Sequence, residues 1–126
     1  MATTELVPAF EAAPPAVAPS RNSNRQTFLV AGTPVVRADG SMDDGLEAQM
    51  QGAWLGLFAA MKAAGFEKHH LRSTTMYVKV GGQCQLFRRV RDQMLQRLPV
   101  SSACLHVSEL ETGAALVEIE GQAVRD

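Results

Sequence analysis

The sequence predicts an α+β sandwich, a mixed β-sheet carrying two helices on one of its faces. Three observations support this. Two segments repeat apolar residues at helical spacing, and several short runs rich in Thr, Val and Tyr read as strands. The two kinds follow one another as strand, strand, helix, strand, helix, strand, strand. A sheet with helices on one side only leaves its other face half apolar, and self-association is the simplest cover for it.

Residues 1–24 contain the run AFEAAPPAVAPS, dense in Pro and Ala and without an apolar period. They read as a mobile leader ahead of one folded domain over residues 25–126. Thr27 to Val30 are β-prone, Gly32 and Pro34 interrupt them before Val35-Val36, and Arg37 to Gly40 read as a turn. Asp44 and Glu47 have the spacing of a capping box. Met50, Trp54, Leu57, Phe58 and Met61 then fall on one helical face, and Gly65 supplies the left-handed residue that closes the helix. Leu71 to Val80 form the next strand, broken by Gly81-Gly82. Leu86, Phe87, Val90, Met94 and Leu98 mark a second amphipathic helix, with Arg88, Arg89, Arg91 and Arg97 on its other face or flanks. Pro99 stops it, and two strands follow, roughly Ser102 to Leu110 and Ala115 to Val124.

With 126 residues, 46% of them apolar, the chain has enough material for one modest core. Its formal net charge of −1 gives no global field to recruit nucleic acid or an acidic membrane. Cys84 and Cys104 are the only cysteines, and neither a signal peptide nor an apolar run of about 18 residues is read in the sequence. A reduced, cytoplasmic setting with free thiols is the expectation.

Several segments, taken in order, resemble the RidA/YjgF (reactive intermediate deaminase) family. Phe28-Leu-Val-Ala-Gly32 stands for its FVSG strand, Gln49 lies in the first helix, and Ala63-Ala-Gly65 matches its LxAAG helix end. Ser73-Thr-Thr-Met-Tyr77 is similar to its KTTVY-like strand, and LVEIEGQA closes the match. The resemblance implies a chorismate-mutase-like fold, a homotrimer whose sheets line a central barrel, and a small-molecule cleft at each subunit interface. It implies no cofactor.

The departures bear on the reaction. Family members carry a tyrosine near the N-terminus, an asparagine in the second helix, an arginine after Pro-Ala and the second glutamate of VEIE. Here the first segment reads Ala18-Pro-Ser20-Arg21, the second position falls close to Arg88, the third is Ser101, and Glu120 alone is kept. A guanidinium grips a carboxylate through two parallel hydrogen bonds, which a serine hydroxyl cannot reproduce. The resemblance makes Glu120 the catalytic candidate. Ser101, Ser102 and Gly32 join it as substrate-binding candidates, with Arg88 and Arg21 as replacement clamps; for Arg88 the ordinary reading is a solvated helix face.

Strand alternation puts Ser102, Cys104, His106 and Ser108 on one face, against Ala103, Leu105 and Val107 on the other. If Glu120 shares the polar face, a thiol, an imidazole and a carboxylate meet in one cleft. His106 then reads either as a second proton-transfer group or as a half-exposed strand residue. Cys104 reads as a nucleophile, a lining residue or, as is usual for free cysteine, a small buried filler. His69-His70 on a strand would point to opposite faces with no third ligand, so no metal is assigned.

Two classes of function follow. The first is an enzyme acting on a reactive enamine, imine or related conjugated metabolite in a specialised pathway, with deaminase-like or hydrolase-like chemistry. The second is a non-catalytic ligand-, RNA- or protein-binding protein using the arginines of the second helix. The net charge and the shortage of aromatics for base stacking weigh against nucleic acid.

Overall fold

The computed structural model describes residues 20–22, 25–32, 38–39, 41–42, 44–110 and 114–126, the first three as backbone only. The strands are β1 (Ser20–Asn22), β2 (Arg25–Gly32), β3 (Leu71–Val78), β4 (Ser101–His106) and β5 (Val117–Arg125). The helices are α1 (Leu46–Ala63) and α2 (Cys84–Leu95), with a 3₁₀ turn at Lys68–His70 leading into β3. Most of the expected leader, and the Val35-Val36 strand, lie outside the described residues. The leader's last part, Ser20–Asn22, pairs antiparallel with β2, so strand pairing begins before Arg25.

The sheet runs in the order β1-β2-β5-β3-β4. All neighbours are antiparallel except β3 and β4, which α2 connects as a crossover and which therefore run parallel. This is the mixed sheet with two helices on one face that the sequence predicts. Trp54, Leu57 and Met61 of α1 and Phe87 and Val90 of α2 share a core with Phe28, Met76, Val117 and Ile119 of the sheet.

The start of α1 differs from expectation. Gly45, with φ of 90°, takes the N-cap position, and no side chain caps the helix. Glu47 instead pairs with Arg89 of α2 at 2.8 Å, tying the two helices together at their surface. The C-terminus behaves as read. The Gly65 amide donates to Lys62 O at 3.0 Å and that of Phe66 to Met61 O at 2.8 Å, the two bonds of a Schellman ending with Gly65 at φ of 85°. Phe66, delivered by that turn, stacks on Phe28 with ring centroids 5.4 Å apart.

Gln49 also has a structural task. Buried in α1, its Oε1 accepts the Leu116 amide at 2.7 Å and so fixes where the chain enters β5.

Candidate active site

The register determines which side chains meet. Val117 and Ile119 of β5 belong to the helix-covered core, so Glu118, Glu120 and Gln122 point to the opposite face. Met76 of β3 faces the same core, which turns Thr75 and Tyr77 the other way. On β4, Met76 pairs with Cys104, and Thr74 Oγ1 lies 3.0 Å from Ser102 Oγ. Ser102, Cys104 and His106 therefore sit on the helix side, while Ser101, Ala103 and Leu105 share the far side with Glu120.

That sidedness corrects the expected constellation: Glu120 does not meet Cys104 or His106. Cys104 packs against the main core, and burial, with Cys84 nearby, pushes its thiol above the ordinary value. His106 is exposed, its Nε2 3.2 Å from Lys79 O and its ring against Gly81. Gly32 also belongs to the helix side. A Cβ there would lie 2.4 Å from Ala53 O and 2.7 Å from Leu57 N, so the missing side chain is what lets α1 approach the sheet.

The far face carries a different pair. The Tyr77 hydroxyl donates to Glu120 Oε1 diagonally across β3 and β5. Tyr77 is 4% exposed, clustered with Ala31, Leu110 and Val107, the segment after β4 having folded back over this end of the face. Burial and the bond to Glu120 raise the Tyr77 hydroxyl above its ordinary range, so it stays a donor. Glu120 is half-buried, and among the described residues its Oε2 has no protein partner.

Tyr77 was missed in the sequence, where it served only as a strand residue. The available signal was the two-residue period in Thr75 and Tyr77, matched by that in Glu118 and Glu120. Glu118, cross-strand from Tyr77, is likewise buried on this face.

The remaining candidates are dispersed. Ser101 opens β4, exposed, at the sheet edge. Arg88 is exposed on α2, and Arg21 lies in β1 opposite Gln26. Arg89 and Arg91 form ion pairs with Glu47 and Asp92, which neutralises part of the basic helix face. His69 and His70 lie in the 3₁₀ turn with ring centroids 4.1 Å apart, not on opposite faces of a strand. His70 Nδ1 accepts the Glu67 amide at 2.9 Å and the ring meets Phe66 edge-on, a structural use of the imidazole. Burial, then the neighbouring His69, hold its pKa below the usual histidine range.

Sheet order and helix placement define a class, the two-layer α+β sandwich of one mixed sheet and one layer of helices. Within it, the chain has the RidA/YjgF fold. The YjgF gene product of E. coli matches at 21% identity over 89% of each chain, with a TM-score of 0.69. A YjgF/YER057c/UK114 family member from Mycobacterium tuberculosis matches at 22% identity over 91% of each, TM-score 0.69. RidA from an Antarctic Psychrobacter matches at 17% identity over 84% of this chain and 85% of that one, TM-score 0.69. At these identities the likeness is one of fold. No protein-family model and no curated protein matches the sequence. Among the described residues, no helix is long and apolar enough to cross a membrane.

Proposed function

We propose that this protein is a divergent RidA/YjgF-family enzyme that hydrolyses or otherwise converts a reactive imine, enamine or related conjugated metabolite. On this reading residues 25–126 are the catalytic domain. It assembles as a cytoplasmic homotrimer, with one cleft at each subunit interface. The observation that carries it is the Tyr77–Glu120 pair on the helix-free sheet face. A donor buried beneath one carboxylate oxygen fixes the group, and the other oxygen is left to accept a hydrogen bond from water. Leu29 and Leu105 on the same face are 63% and 49% exposed in the single chain, as an interface would require.

The chemistry follows from that carboxylate. Glu120 Oε2 takes a proton from water as the oxygen bonds to the imine carbon, the C=N π electrons move to nitrogen, and Glu120 passes that proton to the nitrogen to give a carbinolamine. Glu120 then takes the carbinolamine hydroxyl proton and delivers it to nitrogen as the C–N bond breaks, which forms the carbonyl, releases ammonia and restores the carboxylate. A nucleic-acid reading has less support, because Arg89 and Arg91 already hold carboxylates.

The test is ammonia release from 2-iminopropanoate and 2-iminobutanoate generated in situ, for wild type, Glu120→Ala and Ser101→Arg. Removing a positioned acid-base group lowers rates by roughly 10²–10⁴, and a loss in that range for Glu120→Ala is expected. An inactive wild type whose Ser101→Arg variant gains activity would place the native substrate outside the 2-imino acids. Inactivity of all three would overturn the enzymatic reading.

A further inference from the structure

Three arginines gather at one end of the sheet. Because β5 runs antiparallel to both β2 and β3, its last residue lies near the first residues of its neighbours. Arg25 opens β2, Arg72 is the second residue of β3, and Arg125 closes β5. Leu71 pairs with Ala123 and Ser73 with Gln122, so Arg72 is an extra residue without a cross-strand partner. A bulge of this kind re-aims a side chain out of the strand's regular alternation.

The three side chains line one hollow of about 360 Å³ together with His70, Val124 and Asp126, within the size range of small-molecule sites. Two of the guanidiniums are tethered. Arg125 donates to Gln26 Oε1 at 2.7 Å and to Gly65 O, and lies over the Phe66 ring at 4.5 Å. Arg72 Nη1 donates to His69 O at 2.8 Å. Among the described residues, Arg125 Nη2, Arg72 Nη2 and both Nη atoms of Arg25 have no acceptor. Donors already held in place lose little freedom when an anion arrives. Neutral His70, whose Nδ1 accepts the Glu67 amide, carries its proton on Nε2 and adds a further donor.

The charge balance selects the ligand. Asp126, 3.6 Å from Arg25 Nε, brings the one side-chain carboxylate that lines the hollow, which leaves an excess of two positive side-chain charges. A phosphate monoester carries about −1.5 to −2 at pH 7 and presents three acceptor oxygens, as many as there are arginines. A carboxylate brings a single charge on two oxygens. We propose that Arg25, Arg72 and Arg125 bind a dianionic phosphoryl group, free or carried by a small organic molecule, at this end of the sheet. The site is separate from Glu120, because Val124 lies about 13 Å further along β5, and it stands whether or not the imine reading does.

The experiment titrates glycerol 3-phosphate and inorganic phosphate into the full-length protein at constant ionic strength, by calorimetry and amide chemical shifts, with acetate as the comparison anion. Saturable binding of one phosphoryl group per chain is expected, with the largest shifts at residues 25–26, 70–72 and 124–126. The tighter of the two phosphoryl probes tells whether the group arrives free or on an organic molecule. Arg25 and Arg72 are exposed, so Arg25→Gln and Arg72→Gln should keep the wild-type thermal midpoint while each loses on the order of tenfold in affinity. Arg72→Lys should fall between wild type and Arg72→Gln, and Asp126→Asn, which removes the opposing carboxylate, should bind more tightly than wild type. Absence of saturable binding, acetate bound as tightly as phosphate, a loss below tenfold in the Arg25→Gln/Arg72→Gln double variant, or weaker binding by Asp126→Asn would each overturn the site. Affinity for single-stranded RNA that rises with its length would make this end of the sheet a nucleic-acid surface and overturn it too.

Discussion

Raising the pH probes the pair on which the functional reading stands. Tyr77 is the only tyrosine in the chain, so tyrosinate absorbance reports it alone. In the folded protein burial, then the bond to Glu120, raise its pKa, whereas the unfolded chain ionises near the ordinary value of about 10. The sign follows from proton counts. Above pH ~10 the unfolded state gives up a proton that the native state keeps, so the unfolded state binds fewer and stability falls as pH rises. At pH 11, one unit above the unfolded value, the loss is about 1.4 kcal/mol. Urea denaturation of wild type and Tyr77→Phe at pH 8 and pH 11 isolates it, because lysine and cysteine titrations are common to both. Wild type should lose about 1.4 kcal/mol more than the variant over that interval, with no tyrosinate signal before unfolding. Equal losses in the two proteins, or tyrosinate appearing near pH 10 in the folded state, would refute the buried-donor argument.

Gly32→Ala places a methyl within 2.4 Å and 2.7 Å of two α1 backbone atoms, so the helix must move; overpacking of this kind should cost about 3 kcal/mol and roughly 15 °C in Tm. Gly121→Ala, whose nearest contacts are at 3.2 Å, should cost clearly less, and a reversed order in calorimetry would mean that Gly32 is not a packing residue. Gln49→Leu leaves the part-buried Leu116 amide without its acceptor and should destabilise by about 1 kcal/mol in chemical denaturation; an unchanged midpoint would show that water replaces the side chain.

The helices were legible because each is read from its own residues. Trp54, Leu57 and Met61 reveal their face by spacing alone, and Gly65 its terminus. The Asp44–Glu47 cap was misread because Gly45, free to adopt φ of 90°, places the N-cap one residue later, and Glu47 has a stronger partner in Arg89. The sheet face was harder for a different reason. Alternation correctly divides β4 into two sets, and likewise β5, but it cannot say which set of one strand faces which set of the other. That depends on register, where a slip of one residue exchanges the faces. Met76 pairs with Cys104 on one side and Ile119 on the other, so Cys104 goes to the helices and Glu120 away from them. Tyr77 became visible only once that pairing was fixed.

The same register determines how many chains a substrate must touch. Glu120 pairs with Thr75, which pairs with Ala103, so Ser101 stands two strands across and two residues along from Glu120. With strands ~4.8 Å apart and a rise of ~3.3 Å per residue, the two Cα atoms are roughly 12 Å apart. In a 2-imino acid the carboxylate carbon and the imine nitrogen are both bonded to C2 and lie only about 2.5 Å apart. Such a ligand cannot rest its carboxylate at Ser101 and present its imine to Glu120 of the same chain without large side-chain movement. In a closed ring, the neighbour's sheet face can bring a second Glu120 to the Ser101 end of β4. Co-expression of Glu120→Ala with Ser101→Asp, whose carboxylate repels an acid substrate at the β4 edge, distinguishes the arrangements. If each site is shared between chains, random mixing leaves about a quarter of the interfaces with both residues intact, and that fraction of wild-type imine hydrolysis returns. If each chain holds its own site, every site carries one lesion and no activity returns, which would refute the shared cleft.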